Sequence, residues 1–367
     1  NQRRPAIGAR PWAVTSATQR LLTSLAVAVY ATTAHAASFQ GLGVLPLRST
    51  LLQSHAAGVS YDGSVVVGTV ETDDDPVAFF WTANSGTMTA VELLDPGFPA
   101  GGAAAVSASG GLVVGHAGSQ NGQQAYYRTS AGAVVGLGDL SGGQFASEAT
   151  AVSANGNQIA GTGHSAFGQE AFRFAHPNGP IVGLGFLSGG ISSEARGVSP
   201  DGGAIVGSSV TFSALAGEAF RWSDAAGMVG LGDLPGGQRE STAYGVSAAG
   251  AVVVGHGTSA QGREAFRWTA GGEMQSLAAL PGGPAHSVAR AVSAGGTTIV
   301  GEGQTAATNS TAFLWDPSAG MRGLKSVLVD DFGLASELAA WDLLSATGIS
   351  GDGRVVVGTG INPSGNI

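Results

Sequence analysis

Few side chains in this chain can carry chemistry, and few of those recur. Cysteine is absent, which removes thiol catalysis, thiolate metal sites and disulfides. Lys325 is the single lysine, and no phosphate-binding loop surrounds it. The histidines are His35, His55, His116, His164, His176, His256 and His286. His116 and His256 share a register just after a V-V-G run, where Thr69, Thr162, Ser208, Glu302 and Thr359 stand in other copies. Equivalent positions in a closed ring can face one channel, so metal binding by imidazole is the chemistry to weigh. Two imidazoles with Glu302 as the one carboxylate in register fall short of a ligand shell. Asp62, Asp201 and Asp352 sit in Asp-Gly turns, but Asn155, Ala249 and Gly295 replace them in other copies. A carboxylate that is not retained carries no repeated reaction, and turn geometry explains it. Asp73-Asp74-Asp75 and Asp330-Asp331 lack the spacing of an EF-hand loop. No G-x-S-x-G elbow stands out, and the repeated glycines do not form a G-x-G-x-x-G opening a helix. No catalytic, cofactor-binding or metal-binding residue is therefore assigned.

What recurs is structural. A V-S-x-x-G turn, followed by an apolar run ending in glycine, occurs seven times, with its serines at Ser60, Ser107, Ser153, Ser199, Ser247, Ser293 and Ser350. The intervals are 47, 46, 46, 48, 46 and 57 residues. Each unit holds four strand candidates. In the fourth these are Ala195 to Ser199, Ala204 to Ser208, Glu218 to Trp222 and Met228 to Leu234. Two hairpins in about 46 residues match the repeat length of a propeller blade, whereas a β-helix coil is much shorter. The expectation is an all-β, seven-bladed β-propeller with units near 55–95, 103–141, 149–188, 195–235, 243–281, 289–329 and 346–367.

The alternating strand Glu218-Ala219-Phe220-Arg221-Trp222 places Phe220 and Trp222 on one face, so such aromatics should fill the space between blades. Arg128, Arg173, Arg221 and Arg267 should pair with an acid on the adjoining blade or lie over its aromatics. If the V-S strands are innermost, outer strands follow near 88–94, 134–140, 181–187, 228–234, 274–280 and 321–328. The seventh outer strand stands ahead of the first unit, at residues 39–45. Both ends of the chain then share one sheet, which removes an exposed sheet edge. The last unit is expected to be truncated, without its third strand. The 57-residue interval marks an insertion, and the spacing of Leu324, Val327 and Leu328, then Leu334 and Leu338, predicts a short helix.

Residues 1–36 read as a removable secretory signal. Arg3, Arg4, Arg10 and Arg20 precede an apolar run from Leu21 to Tyr30, and Ala34-His35-Ala36 fits a small-x-small cleavage site. The propeller then occupies 37–367. Sixteen basic against 25 acidic residues give a net charge of −9, and losing the four arginines takes it to about −13. That sign disfavours nucleic acid and anionic membranes as partners.

The phrases G-L-G-x-L-x-G-G, A-x-x-V-S, V-V-G and E-A-F-R-W together resemble the HAF family of bacterial extracellular repeat proteins, over about residues 38–367. The family's histidine before Ala-Phe is Glu170, Glu218 and Glu264 here, Gln124 in one copy, and Val77 and Thr311 in others. The turn around Ser-Pro-Asp-Gly also resembles that of TolB-type propeller repeats. The resemblance implies a secreted, periplasmic or cell-surface protein. The expected function is a monomeric, non-enzymatic binding or scaffold propeller for a surface polysaccharide or protein, without a cofactor. The alternative is an envelope polysaccharide hydrolase or lyase with its site in the central channel, marked by blades that break symmetry with converging Asp, Glu, His or Arg.

Overall fold

The computed structural model describes residues 22–28, 37–47, 49, 53–92, 94–95, 97–98, 101–212, 217–308 and 310–362. The chain is an all-β propeller, and its described residues form seven four-stranded antiparallel sheets. Six are blades in the expected sense, each folded from one contiguous unit whose strands pair in sequence order. The fourth, for example, runs Gly190–Val198, Ile205–Thr211, Gly217–Ser223 and Gly227–Gly230. The blade count is thus six, against the seven expected, of which the last was expected to borrow its outer strand from residues 39–45. The remaining sheet is composite, in the order Asp342–Ile349, Val355–Ile361, Leu22–Ala28, Ser38–Gly43.

This sheet corrects the expected truncation. The expected outer strand at 39–45 is present as Ser38–Gly43, but the third place is filled by Leu22–Ala28, from within the apolar run of the expected signal. Leu25 pairs with Gly358 as Phe220 pairs with Gly207, so the segment adopts the register of a third strand. The expected cleavage site, Ala34-His35-Ala36, lies outside the described residues.

The V-S serine explains itself at the turn. In all seven copies its Oγ accepts the backbone N–H five residues on, as Ala204 N donates to Ser199 at 2.9 Å. Where Asp or Asn follows, the same hydroxyl donates to it: Ser199 to Asp201 at 2.5 Å, and Ser153 to Asn155 at 2.7 Å. The serine closes the turn in every copy, which is why the aspartate is dispensable. Ser199 is fully buried, so Ser199→Ala leaves the Ala204 N–H unsatisfied and should cost about 1–3 kcal/mol in chemical unfolding. Asp201→Ala should cost less.

Adjacent turns join in a backbone girdle. Tyr61 N donates to Ala108 O, Ala108 N to Ala154 O, Ala154 N to Pro200 O, Ala248 N to Ala294 O and Ala294 N to Gly351 O, at 2.9 to 3.2 Å. The fourth-to-fifth link is missing because Pro200 has no N–H to give. A second set of stitches lies at the opposite end. Ser147, Ser193, Ser241 and Ser287 each donate to a carbonyl of the preceding blade's outer edge, at Gly138, Gly185, Gly232 and Ala278. Ser54 repeats the contact with Gly43 of the composite sheet at 2.8 Å, which closes the ring.

Apolar clusters lie between neighbouring sheets. One joins Ala160 and Ala171 of the third blade to Ile205, Phe220 and Trp222 of the fourth. Phe79, Tyr126, Phe172, Phe220, Phe266 and Phe313 are among the largest fully buried side chains, each paired with a glycine within the second strand. The aromatics therefore fill inter-blade space as expected. The insertion supplies the equivalent volume beside the composite sheet. Leu324–Asp330 and Ala335–Leu338 are helices whose Leu324, Leu328, Leu334 and Leu338 pack with Val300, Leu343 and Val356. The outer strand expected through Leu328 accordingly stops at Gly323, because the next residues are apolar at helical spacing and turn inward.

Candidate functional site

Each inner strand carries the pattern Ala-x-small-Val/Ile-Ser, and each has a register shift across the x residue. A β-bulge leaves one residue outside the ladder and re-aims it. The seven bulged residues are Ala57, Ala104, Thr150, Arg196, Tyr244, Arg290 and Thr347, and all of them line a central cavity of about 240 Å³. At the turn end the channel narrows to an apolar collar of Val59, Val106, Val152, Val198, Val246, Val292 and Ile349. The two ends therefore differ in chemistry.

Thr150 and Thr347 use their hydroxyls structurally, donating across the blade junction to Ala195 O at 2.8 Å and Ala56 O at 2.6 Å. Three successive units depart from this. Arg196 and Arg290 flank the Tyr244 ring, with guanidinium carbons 5.6 and 4.8 Å from its centroid. Arg196 Nη2 meets Glu194, which also accepts from Gln169 at 3.0 Å. Arg290 grips Glu302 through Nε at 3.0 Å and Nη2 at 2.5 Å, and Ser345 donates to the same carboxylate at 2.6 Å. Burial opposes the charge on Arg290, but Glu302 and Tyr244 together outweigh it and raise its pKa. The side chains of Arg196 and Arg290 remain 39% and 36% exposed, so both stay open to a solute.

The two histidines in register do not share a site. His116 Nδ1 lies 3.9 Å from Glu148 of the next blade. His256 is buried beneath Tyr244, its ring 5.7 Å away, and its Nε2 accepts from Arg263 at 2.6 Å. Its Nδ1 is buried without a hydrogen-bond partner among the described residues. Glu302, the one carboxylate in register with the histidines, is held by Arg290 and Ser345. Among the described residues no three His, Cys, Asp or Glu side chains group as a metal site.

Burial, reinforced by the charges of Arg263, Arg290, Arg196 and His286, pushes the His256 pKa from the ordinary 6.5 down to about 3. Above pH 6.5 the ring is neutral in folded and unfolded chains alike, and its contribution to stability is intact. Between 6.5 and 3 only the unfolded chain takes up the proton, so stability falls with pH until the folded state also protonates. His256→Gln should flatten the pH dependence of the unfolding free energy across that window, removing a loss on the order of a few kcal/mol.

Several other acids and arginines have structural partners, while Arg267 keeps a buried Nε without a hydrogen-bond partner among the described residues. Glu170 and Glu218 accept the N–H of Gly185 at 2.8 Å and Gly232 at 3.2 Å, bracing the outer strand where the resembled family has histidine. Arg128 lies 4.2 Å over Phe80, and Arg173 lies 5.1 Å over Trp222 and 3.2 Å from Asp224. Arg221 Nε donates to Gly250 O at 3.3 Å, on the next blade. Asp331 pairs with Arg322 at 2.8 Å, and Asp73 accepts from Ser49 at 3.1 Å.

Sequence reasoning passed over two features. The bulges are a property of pairing and leave no mark beyond a variable residue between small ones. Phe167 and Phe212, on loops of the third and fourth blades at the channel's polar end, are 81% and 79% exposed. They flank the start of the strand Gly190–Val198: Phe212 N donates to Gly189 O at 3.1 Å, and Gly168 lies beside Ile191. The signal was available in large apolar residues inside loops flanked by Ser, Gly and Thr.

No helix of the described residues is long and apolar enough to cross a membrane. No family model and no curated protein matches the chain. Solved structures do. A TolB-type protein of Agrobacterium tumefaciens superposes with a TM-score of 0.51 at 13% identity, over 93% of this chain and 99% of the other. A prolyl endopeptidase gives 0.54 at 14% identity, over 77% of this chain and 44% of the other. A puromycin hydrolase gives 0.53 at 18% identity, over 83% and 52%. The chain spans about half the length of these two enzymes, and the likeness at such identity is one of fold: a β-propeller shared with both TolB and peptidase domains.

Proposed function

We propose that this chain is an exported, non-enzymatic propeller of the HAF repeat type, located at the cell surface or in the periplasm, which binds a surface polysaccharide or protein at the polar end of its channel. The bulges break symmetry with converging charged residues, the mark expected of the hydrolase alternative, and the observation that carries the non-enzymatic reading is that the carboxylates there are already tied up, Glu194 by Arg196 and Glu302 by Arg290. Positions that are small or hydroxylated in four units become Arg196, Tyr244 and Arg290 in three consecutive ones. Stability does not require that change, because Thr150 and Thr347 show how a bulge residue serves the fold. The composite sheet acts as the seventh blade in this reading, since Ser54 and Thr347 stitch it to the first unit. An outer-envelope location accords with the resemblance to TolB-type repeats. The protein works as a monomer, with no nucleic-acid partner.

The convergence of Glu148, Glu194 and Glu302 near the channel keeps a hydrolase or lyase in view as the second reading. Glu194 and Glu302 are already paired with Arg196 and Arg290, and Glu148 lies 3.9 Å from the His116 ring. That arrangement suits a fixed recognition surface better than a proton-donating acid. A glycan array combined with a turnover screen on the full chain separates the two, and product release from a defined polymer overturns the non-enzymatic reading. Phe167→Ser and Phe212→Ser should weaken capture of the partner at least severalfold. Both side chains are exposed, so the melting temperature should stay within the range of a surface change, about 0.5 kcal/mol.

A further inference from the structure

We infer that the mouth formed by Arg196, Tyr244 and Arg290 is a carboxylate-binding site, and that its ligand is an acidic polysaccharide presenting uronate groups. The inference rests on the reading of the chain as a polymer-binding propeller and gives that site its chemistry. Both guanidiniums are placed by bulges rather than by free loops, and both lie against one aromatic ring, so little freedom remains to be lost on binding. Arg196 bonds to the described residues through Nη2, and Arg290 bonds through Nε and Nη2 to Glu302 and also to the Tyr244 side chain. Arg196 Nε and Nη1 remain for a ligand, each able to donate one charge-assisted hydrogen bond to a carboxylate oxygen. Beside these donors stand Glu194 and Glu302, acceptors for sugar hydroxyls. A group carrying both a carboxylate and hydroxyls uses both kinds of partner. A peptide would need an apolar side-chain pocket, whereas the other bulged residues at this level are alanines and threonines.

The test is a titration of the full chain by calorimetry with three probes: polygalacturonate, the same polymer methyl-esterified, and neutral dextran. The expected result is binding to polygalacturonate that weakens with added salt, a loss of at least tenfold on esterification, and no measurable binding of dextran. Esterification changes the ligand and leaves the protein untouched, so misfolding cannot mimic its effect. Arg196→Met, at a partly exposed position, should weaken binding about tenfold with an unchanged melting curve, and Arg290→Met should add to it. Equal binding of the esterified polymer or of dextran, or unchanged affinity in Arg196→Met, overturns the carboxylate site while leaving a polymer-binding propeller standing. Binding to none of the three by the folded chain overturns the site, and a glycan array then decides whether the broader reading survives.

Discussion

Gly161→Ala is expected to cost about 3 kcal/mol or more in unfolding free energy and to lower the melting temperature by several degrees, a large effect for adding one methyl group. Gly161 lies within the second strand of its blade opposite Phe172, and the bulge on the inner strand brings the Glu148 carbonyl over it. A Cβ there would lie 2.6 Å from Phe172 Cζ and closer still to the Glu148 oxygen. The ring could rotate away at some cost, but the carbonyl belongs to a ladder pinned on both sides. Reduced entropy of the unfolded chain would stabilise alanine by only about 0.4–1 kcal/mol, so the clash wins. Gly132→Ala is the control. Its φ is +95° and no atom lies within 4 Å of the added carbon, so it pays only for backbone strain, roughly 1–2 kcal/mol. Equal losses in the two variants would show that the bulged strand does not approach its neighbour as described.

Trp222→Ala should destabilise the chain by about 3–5 kcal/mol, through lost burial and the cavity left behind. The indole is 9% exposed and packs among Ile205, Phe220, Val198 and Met228 between the third and fourth blades. Arg173 of the neighbouring blade lies over it and would lose its aromatic partner as well. Calorimetry should show the loss as a lower melting temperature, and an unchanged curve would mean that the inter-blade space is not closed by this ring. Trp222→Phe should recover most of the stability, because it keeps the face that Arg173 covers.

The repeated elements were legible because each arises from local chemistry copied at a constant interval. The serine of V-S accepts an N–H five residues away, Asp-Gly forms its own turn, and alternation in Glu-Ala-Phe-Arg-Trp sorts side chains to two faces. That residues near 40 share a sheet with the carboxyl end was legible too, because a missing outer strand and a spare one of the same pattern had to meet. The third strand of that sheet was misread. Residues 22–28 share an apolar, β-compatible composition with an export signal, and composition cannot say which sheet a segment joins. The histidine register was also read too literally. His116 and His256 are equivalent in the ladder, but Tyr244 and three arginines bury one of them, and a carboxylate faces the other.

The candidate site marks the boundary between the two sources. Local periodicity, turn chemistry and repeat length determined the propeller, the order of strands within a unit and the burial of the aromatics, since all of these depend on neighbours within about 46 residues. The choice of Arg196, Tyr244 and Arg290 as the residues that meet at one mouth belongs to the tertiary structure. They lie 48 and 46 residues apart, and only the combination of a bulge in each inner strand with the rotation from blade to blade turns those positions toward a common axis. A bulge is set by how two strands fit against a buried glycine and a carbonyl, a long-range steric fact that no single stretch of chain carries by itself.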